Sequence, residues 1–376
     1  MKYNFSERNL NPDFYHKTVQ EIKTTITQGI SSTLIGMPLC GMVTLCRYLA
    51  TTDIAYFAYI DTQSLKHQGR NALFLSLYNE LEGKDMQQAS INAFEECKKR
   101  LRQLALFQDR IVILIGRLEY LNEELSQGLL ADFKTLADIS VGKIIFIGTS
   151  RLPLFQLSTA ALVNANPSFM TDAIYFTPFQ GNDFKKIFDF LPGNLKASRK
   201  NRETILKLSG GHMSLIWQLL KIDQIDNPLE DPIIKLHLET IYETYSTKQK
   251  LQLYKIATSK QVKDIDPFLL KVGLVKKIND HYELFTPLLK NYILTYAQTK
   301  LPKKERKLFS LLKKKVGKIV SKDEIFDTLW ADNSEHATDW ALNSLIYRLR
   351  KNPTLLNKGY VIENEKDEGY RMIKER

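Results

Sequence analysis

Two stretches of this 376-residue chain carry residue types whose spacing bears on phosphate chemistry. The first is Gly36-Met-Pro-Leu-Cys-Gly41-Met42-Val43, a G-x-x-x-x-G loop between a short apolar run and an amphipathic stretch. In that setting the backbone N–H groups at the start of a helix can cradle phosphate. The pattern asks for lysine where Met42 stands and for serine or threonine where Val43 stands. A thioether cannot neutralise a β/γ-phosphate, and a valine cannot ligate magnesium. The run that should carry the acidic magnesium partner reads Ile111-Val-Ile-Leu-Ile-Gly116-Arg117, with Gly116 in the aspartate position. A lost charge-assisted contact removes roughly 1.5 to 3 kcal/mol, and loss of one transition-state stabiliser costs on the order of 10² to 10³ in rate. Three such losses predict no hydrolysis, no catalytic residue and no enzyme. The loop then has three readings: glycines kept only for the turn, residual ATP or ADP binding by backbone amides, or hydrolysis. The expected cofactor is none.

The second stretch lies near the C-terminus. A helix is expected from about Thr338 to Arg350, with Leu342, Leu345, Ile346 and Leu349 at i, i+3, i+4 and i+7 forming a buried stripe. At about 100° per residue the opposite face carries Trp340, Ser344, Tyr347 and Lys351, with Arg348 on its flank. Such a face fits a major groove: Arg348 toward a guanine edge, Ser344 or Tyr347 toward bases or phosphates, Lys351 against the backbone. A merely solvated face has the same composition. Ser321 with Glu324 predicts a capping box opening the preceding helix at Lys322. A helix before that one opens after Pro302, with Leu301, Leu308, Leu311 and Leu312 available for its core face.

The elements that must position these groups alternate through the first 180 residues. Short β-branched runs at 32–35, 55–60, 111–115, 143–148 and 174–176 are separated by amphipathic stretches such as 44–50 and 70–106. That alternation predicts a parallel sheet covered by helices. Three helices follow, at 183–191, 198–209 and 213–222, with a stop at Gly210-Gly211, and they read as a small lid. After Pro228 and Pro232 a pattern of short helices closed by two β-runs occurs twice, ending at 273–285 and 359–372. The expected fold is multidomain, α/β plus α+β: an α/β core over 1–180, a lid over 181–228, a middle winged helix over 229–298 and a C-terminal one over 299–376.

Composition narrows the function. With 53 Lys and Arg against 42 Asp and Glu, the chain carries a formal charge of +11, which favours a polyanionic partner. From residue 300 onward 18 basic residues face 12 acidic ones, so more than half of the excess sits in the last fifth. No apolar run approaches the ~18 residues a membrane span requires, and the polar start does not read as a secretion signal, so a cytoplasmic chain with no membrane partner is expected. Three cysteines without a CxxC pair are expected to be free thiols. Six histidines without zinc-site spacing leave no expected metal.

With these residues in view, about residues 14 to 225, and partly on to 298, resemble the AAA+ and STAND family of P-loop ATPases. The resemblance rests on the loop, on Asp61 after the second strand, on Gly148-Thr149-Ser150-Arg151 after the fourth, where that family keeps a polar sensor, and on Gly210-Gly211-His212-Met213. The last is similar to the family's Gly-His-Pro turn with Met213 for proline. It implies a vestigial nucleotide site at Gly36, Gly41, Met42, Val43, Gly116 and Thr149. The alternatives are solvated strand-end residues at Thr149, Ser150 and Arg151, and a turn histidine near the lid surface at His212. Residues 301–373 resemble the OmpR/PhoB-type winged-helix DNA-binding domain in Leu301-x-x-x-Glu305, the 317–330 block, Arg348-Leu-Arg350-Lys351 and Gly369-Tyr370-Arg371. The resemblance implies a third helix that reads the major groove of double-stranded DNA and a wing that places Lys366 toward the minor groove. The chain departs from that family at Trp340, Asn343 and Tyr347, and in an acidic wing at 363–368, whose carboxylates would repel phosphate. No receiver domain precedes it, so a phosphorelay input is not expected. The function expected is a DNA-binding regulator with an inactive ATPase-like sensor module. The rivals are a nucleotide-switched STAND-type ATPase and a protein-interaction scaffold that binds itself or a signalling protein.

Overall fold

The computed structural model describes residues 15–374 except 66–67, 83–91, 122–123, 166–167, 181–182, 184–198, 223–226, 261, 263, 298–302, 331–337, 351, 353–354, 356–358 and 366–367. They divide into two compact units: the first runs to His237 and also takes Leu270–Leu274, and the second comprises Leu238–Leu269 and Val275–Arg376.

In the first unit, five strands form one parallel sheet: β1 (Ser32–Gly36), β2 (Tyr56–Asp61), β3 (Ile111–Gly116), β4 (Ile144–Ser150) and β5 (Asp172–Phe176), in the order β2-β3-β4-β1-β5. Every residue of β1, β3 and β4 is buried. Both faces are covered by helices, which is why these strands read as unbroken apolar runs rather than alternating ones. The helices are α1 (His16–Gln28), α2 (Met42–Leu49), α3 (Gly69–Glu82), α4 (Ala93–Phe107) and α5 (Leu130–Ala137). The amphipathic segment 70–106 is thus two helices. On one face Phe133 stacks on Phe146 with centroids 5.1 Å apart, inside a core that also takes Phe74, Leu101 and Ile113. Because β1 lies between β4 and β5, the order of connection reverses there, and the loops leaving β1 and β4 open a crevice beyond their carboxyl ends. The lid contributes α6 (Arg199–Ser209) and α7 (Met213–Leu219), joined by Gly210 and Gly211 at φ +58° and +86°. Apart from Asp183, the expected lid helix at 183–191 lies outside the described residues.

Helix α8 (Pro232–Glu243) enters the second unit. There α9 (Thr247–Ala257), α10 (Pro267–Lys271), the hairpin β6 (Val275–Ile278) and β7 (His281–Leu284), and α11 (Pro287–Tyr292) follow. A full capping box opens α9, between Ser246 and Gln249. The last seventy residues fold as α12 (Lys303–Lys314), β8 (Ile319–Val320), α13 (Lys322–Trp330), α14 (Asp339–Arg350), β9 (Tyr360–Glu365) and β10 (Gly369–Lys374), with the sheet ordered β8-β10-β9. The two-residue β8 is not visible by periodicity, since it is too short and half of it is exposed. Leu308 and Leu312 of α12 enter the core with the α14 stripe Leu342, Leu345, Ile346 and Leu349. Leu311 is only partly buried, and Leu301 lies outside the described residues.

Only half of the capping box expected at Ser321 forms. The Glu324 N–H donates to Ser321 Oγ at 3.2 Å, but the Glu324 carboxylate turns to Lys315 Nζ at 2.6 Å. An ammonium is a stronger partner for a carboxylate than a neutral backbone N–H.

Candidate nucleic-acid interface and the phosphate loop

The loop after β1 opens α2 at Gly41, whose φ of +110° suits glycine. The Cβ of any larger residue at Gly36 would lie 2.9 Å from the Phe176 carbonyl, with the sulfurs of Cys40 and Met42 at 3.0 and 3.1 Å. The two sulfurs therefore fold back against the loop, and Met42 is buried. Burial pushes the Cys40 thiol up to about 12, so it is no thiolate. All three cysteines are buried and free. At Gly116 the carbonyl accepts Thr62 Oγ1–H at 2.8 Å, and an added Cβ would meet Tyr59 Oη at 3.0 Å. Neither a counter-charge for a β/γ-phosphate nor a magnesium ligand stands at these three positions. Among the described residues, no group of three or more His, Cys, Asp or Glu side chains comes together as a metal site.

Instead, arginines and carboxylates pair around a cavity of about 280 Å³ lined by the loop, Arg47, Arg117, Glu119, Thr149 and Arg151. Asp61, at the end of β2, takes Arg47 at 3.3 Å and Arg117 at 3.2 Å. Glu119 takes Arg151 at 2.8 Å, while its burial raises its pKa. The solvated reading fails for Thr149 and Ser150, while Arg151 stays 30% exposed. Thr149 and Ser150 are 1% exposed. Thr149 Oγ1 accepts the Arg117 N–H at 2.7 Å, and Ser150 Oγ bonds the Leu152 backbone. The end of a central strand lies beneath the crevice rather than at the surface.

His212 also differs from its sequence reading as a surface turn residue. It is fully buried, and its Nε2–H donates to the Pro38 carbonyl at 2.9 Å. The preceding Gly211 packs against the backbone at Phe179, whose carbonyl a Cβ there would overlap. Burial lowers the His212 pKa to about 4, so the imidazole is neutral at pH 7. The lid is tied to the phosphate loop by a neutral hydrogen bond.

In the second unit the expected face on α14 is present. Trp340 is 79% and Tyr347 57% exposed, with Asn343 exposed and Ser344 half-buried between them. Thr338 caps the helix, its Oγ1 accepting from the Ala341 N–H at 3.1 Å. The arginines are engaged inside the domain. Arg348 Nε donates to Glu305 Oε1 at 2.7 Å, and Arg350 Nε donates to the Ile362 carbonyl at 2.8 Å. Glu305 is 5% exposed, so Arg348 is the counter-ion of a buried carboxylate on α12. Arg348 is thereby tied to α12 through its Nε, while its side chain stays 55% exposed. On the wing, Arg371 of β10 faces Glu363 across the hairpin at 3.2 Å and also pairs with Glu365. One arginine thus offsets part of the charge of the two strand carboxylates, which lessens the repulsion their sequence implied. Lys351 and Lys366 lie outside the described residues.

Residues 297–372 match the family model described as "Transcriptional regulatory protein, C terminal". The C-terminal domain is a winged helix of the OmpR/PhoB type. The chain is also similar to a Walker-type ATPase of Pyrococcus abyssi, at 14% identity and TM-score 0.51, over 78% of this chain and 100% of that one. That likeness shows a P-loop ATPase fold. Further matches are the Aeropyrum pernix ORC1 protein in complex with DNA, at 9% identity and TM-score 0.39 over 99% and 92% of the two chains, and the Thermotoga maritima RuvB Holliday junction branch migration motor, at 16% and 0.36 over 78% and 96%. No curated protein matches the chain, and no helix among the described residues is long and apolar enough to cross a membrane.

Several pairings within the two folds escaped sequence reasoning. The Arg47–Asp61–Arg117 bridge joins residues from three separate elements, and no local spacing announces it. The Glu305–Arg348 pair of the winged helix did carry a signal, since both residues sit at quoted motif positions, but a motif does not say that its members touch. Asn343 is a further case: its Oδ1 accepts the Tyr370 Oη–H at 2.6 Å.

Proposed function

We propose that this chain is a DNA-binding transcriptional regulator: its winged helix docks on double-stranded DNA, and its P-loop fold serves as a sensor module that hydrolyses no ATP and needs no cofactor. The observation that carries the reading is the winged-helix match over residues 297–372 combined with the outward stripe of α14, in which Trp340, Ser344 and Tyr347 face away from the core. Lys351 and Lys366 belong to the same proposed interface, with Arg348 holding α14 in place. The domains proposed are 1–180, 181–228, 229–298 and 299–376, in a cytoplasmic protein that also contacts itself or a signalling protein. Inactivity of the P-loop module is supported by the thioether, valine and glycine at Met42, Val43 and Gly116, and by carboxylates that already pair with the arginines of the crevice.

The test is recovery of sheared genomic DNA by the purified full-length chain near physiological salt, followed by sequencing. A few enriched sites sharing a motif, with affinity falling steeply and linearly against log salt, is the expected result. Uniform recovery, or none, would overturn the reading in favour of a protein-binding winged helix. ATP hydrolysis with magnesium, measured with and without the recovered DNA, is expected to stay at background.

A further inference from the structure

Sequence reading of double-stranded DNA by this domain, which rests on the function proposed above, must use whatever α14 presents outward. Trp340, Asn343, Ser344 and Tyr347 stand at i, i+3, i+4 and i+7, opposite the buried leucine stripe. Both arginines of the helix are held at Nε within the domain, by Glu305 and by the Ile362 carbonyl. None of the four stripe residues is an arginine or lysine, so the commonest specific contact, a bidentate cation on guanine O6 and N7, has no donor among them. What remains at the N-terminal end of the helix, where winged and helix-turn-helix domains meet base edges, is a tryptophan exposed over 79% of its surface. The acid next to it, Asp339, is paired with Lys322 at 3.1 Å, so its charge does not set the helix end against phosphate. The apolar feature of a major groove is the thymine C5-methyl group.

We propose that Trp340 reads thymine methyl groups, with Tyr347 extending the apolar contact about two helical turns further, in place of guanine reading by arginine. Asn343 supports the same assignment. Tyr370 donates to its Oδ1 at 2.6 Å, so the part of this amide that would serve a base is its Nδ2 amino group, a donor for the O4 or N7 acceptors beside such a methyl.

The experiment uses the full-length chain and duplexes carrying its selected site, with each thymine exchanged in turn for deoxyuridine. This removes the methyl and keeps every hydrogen-bonding group. Affinity is expected to fall about fourfold at one or two adjacent positions, the effect of burying one methyl-sized group. Trp340→Ala is expected to bind thymine and deoxyuridine duplexes equally while keeping its salt slope and its unfolding midpoint, since so exposed a side chain supports no core. Trp340→Phe should restore part of the discrimination. Selected sites without a required thymine, or a thymine preference that survives in Trp340→Ala, would overturn the proposal. Failure to retain any DNA would instead overturn the function on which it rests, and the methyl reading with it.

Discussion

Replacing Arg348 by alanine separates a positioning role from a base-reading one. Glu305 Oε1 lies 2.7 Å from Arg348 Nε, and the Glu305 side chain is 7% exposed. The substitution leaves a carboxylate of α12 buried without its counter-ion. Breaking a fully buried pair costs about 3 to 5 kcal/mol, but Arg348 is itself 55% exposed and water can enter where it stood, which discounts the loss. A charge-assisted hydrogen bond of about 2 kcal/mol is the appropriate scale. Because a chain of several domains has no single unfolding free energy, the loss is best read locally. Hydrogen exchange of peptides covering Lys303–Lys314 and Asp339–Arg350, in the full-length chain, should accelerate roughly 30-fold. Glu305→Met combined with Arg348→Met should recover most of the protection, since replacing both partners by apolar groups removes the stranded charge. Base preference should be unchanged once the affinity lost to reduced folding is allowed for. Unaltered exchange together with a relaxed preference at one guanine would refute the reasoning and return Arg348 to the groove.

The His212 tie makes the lid acid-sensitive. Its folded pKa of about 4 lies below the ordinary value of 6.5, so the unfolded state binds the extra proton between these values and stability falls as pH drops through that window, by roughly 3 kcal/mol in all. His237, also lowered by burial, adds in the same direction. Exchange of the Met213–Leu219 peptide between pH 7 and pH 4, corrected for intrinsic rates, should show the loss, and His212→Gln should flatten it. Gly116→Asp should destabilise the first unit by about 1 to 3 kcal/mol, because its Cβ would crowd Tyr59 Oη; denaturant titration of the variant checks this. The double variant Met42→Lys with Val43→Thr should still show no ATP hydrolysis above background in a phosphate-release assay, since no carboxylate replaces Gly116 and each absent stabiliser costs on the order of 10² to 10³ in rate. Thr62→Val should remove the one hydroxyl donor shared between the Gly116 and Arg117 carbonyls, lowering stability by about 1 to 3 kcal/mol in the same titration.

Much of the architecture was legible from the chain alone. The β-branched runs at 32–35, 111–115 and 143–148 announced buried strands because a parallel strand covered on both faces must be apolar throughout. The stripe Leu342, Leu345, Ile346 and Leu349 announced the buried side of α14, and with it which residues face outward, because helical periodicity is a local property. The degenerate loop was equally plain, since Met42, Val43 and Gly116 lack the required atoms whatever the fold around them.

Partnership was not legible in this way. Whether Arg348 faces a base or Glu305 depends on a helix more than thirty residues away. Whether His212 lies at the surface or buried depends on the loop at Pro38 meeting it, and whether Thr149 is solvated depends on which strands flank β4. Residue type and spacing determine what a side chain can do and on which side of its own element it stands, because those follow from covalent structure and local periodicity. Which group it meets, and so whether a cation is available to a ligand or already engaged within the fold, was decided only by the tertiary structure, because burial and charge pairing are set by segments distant in the chain.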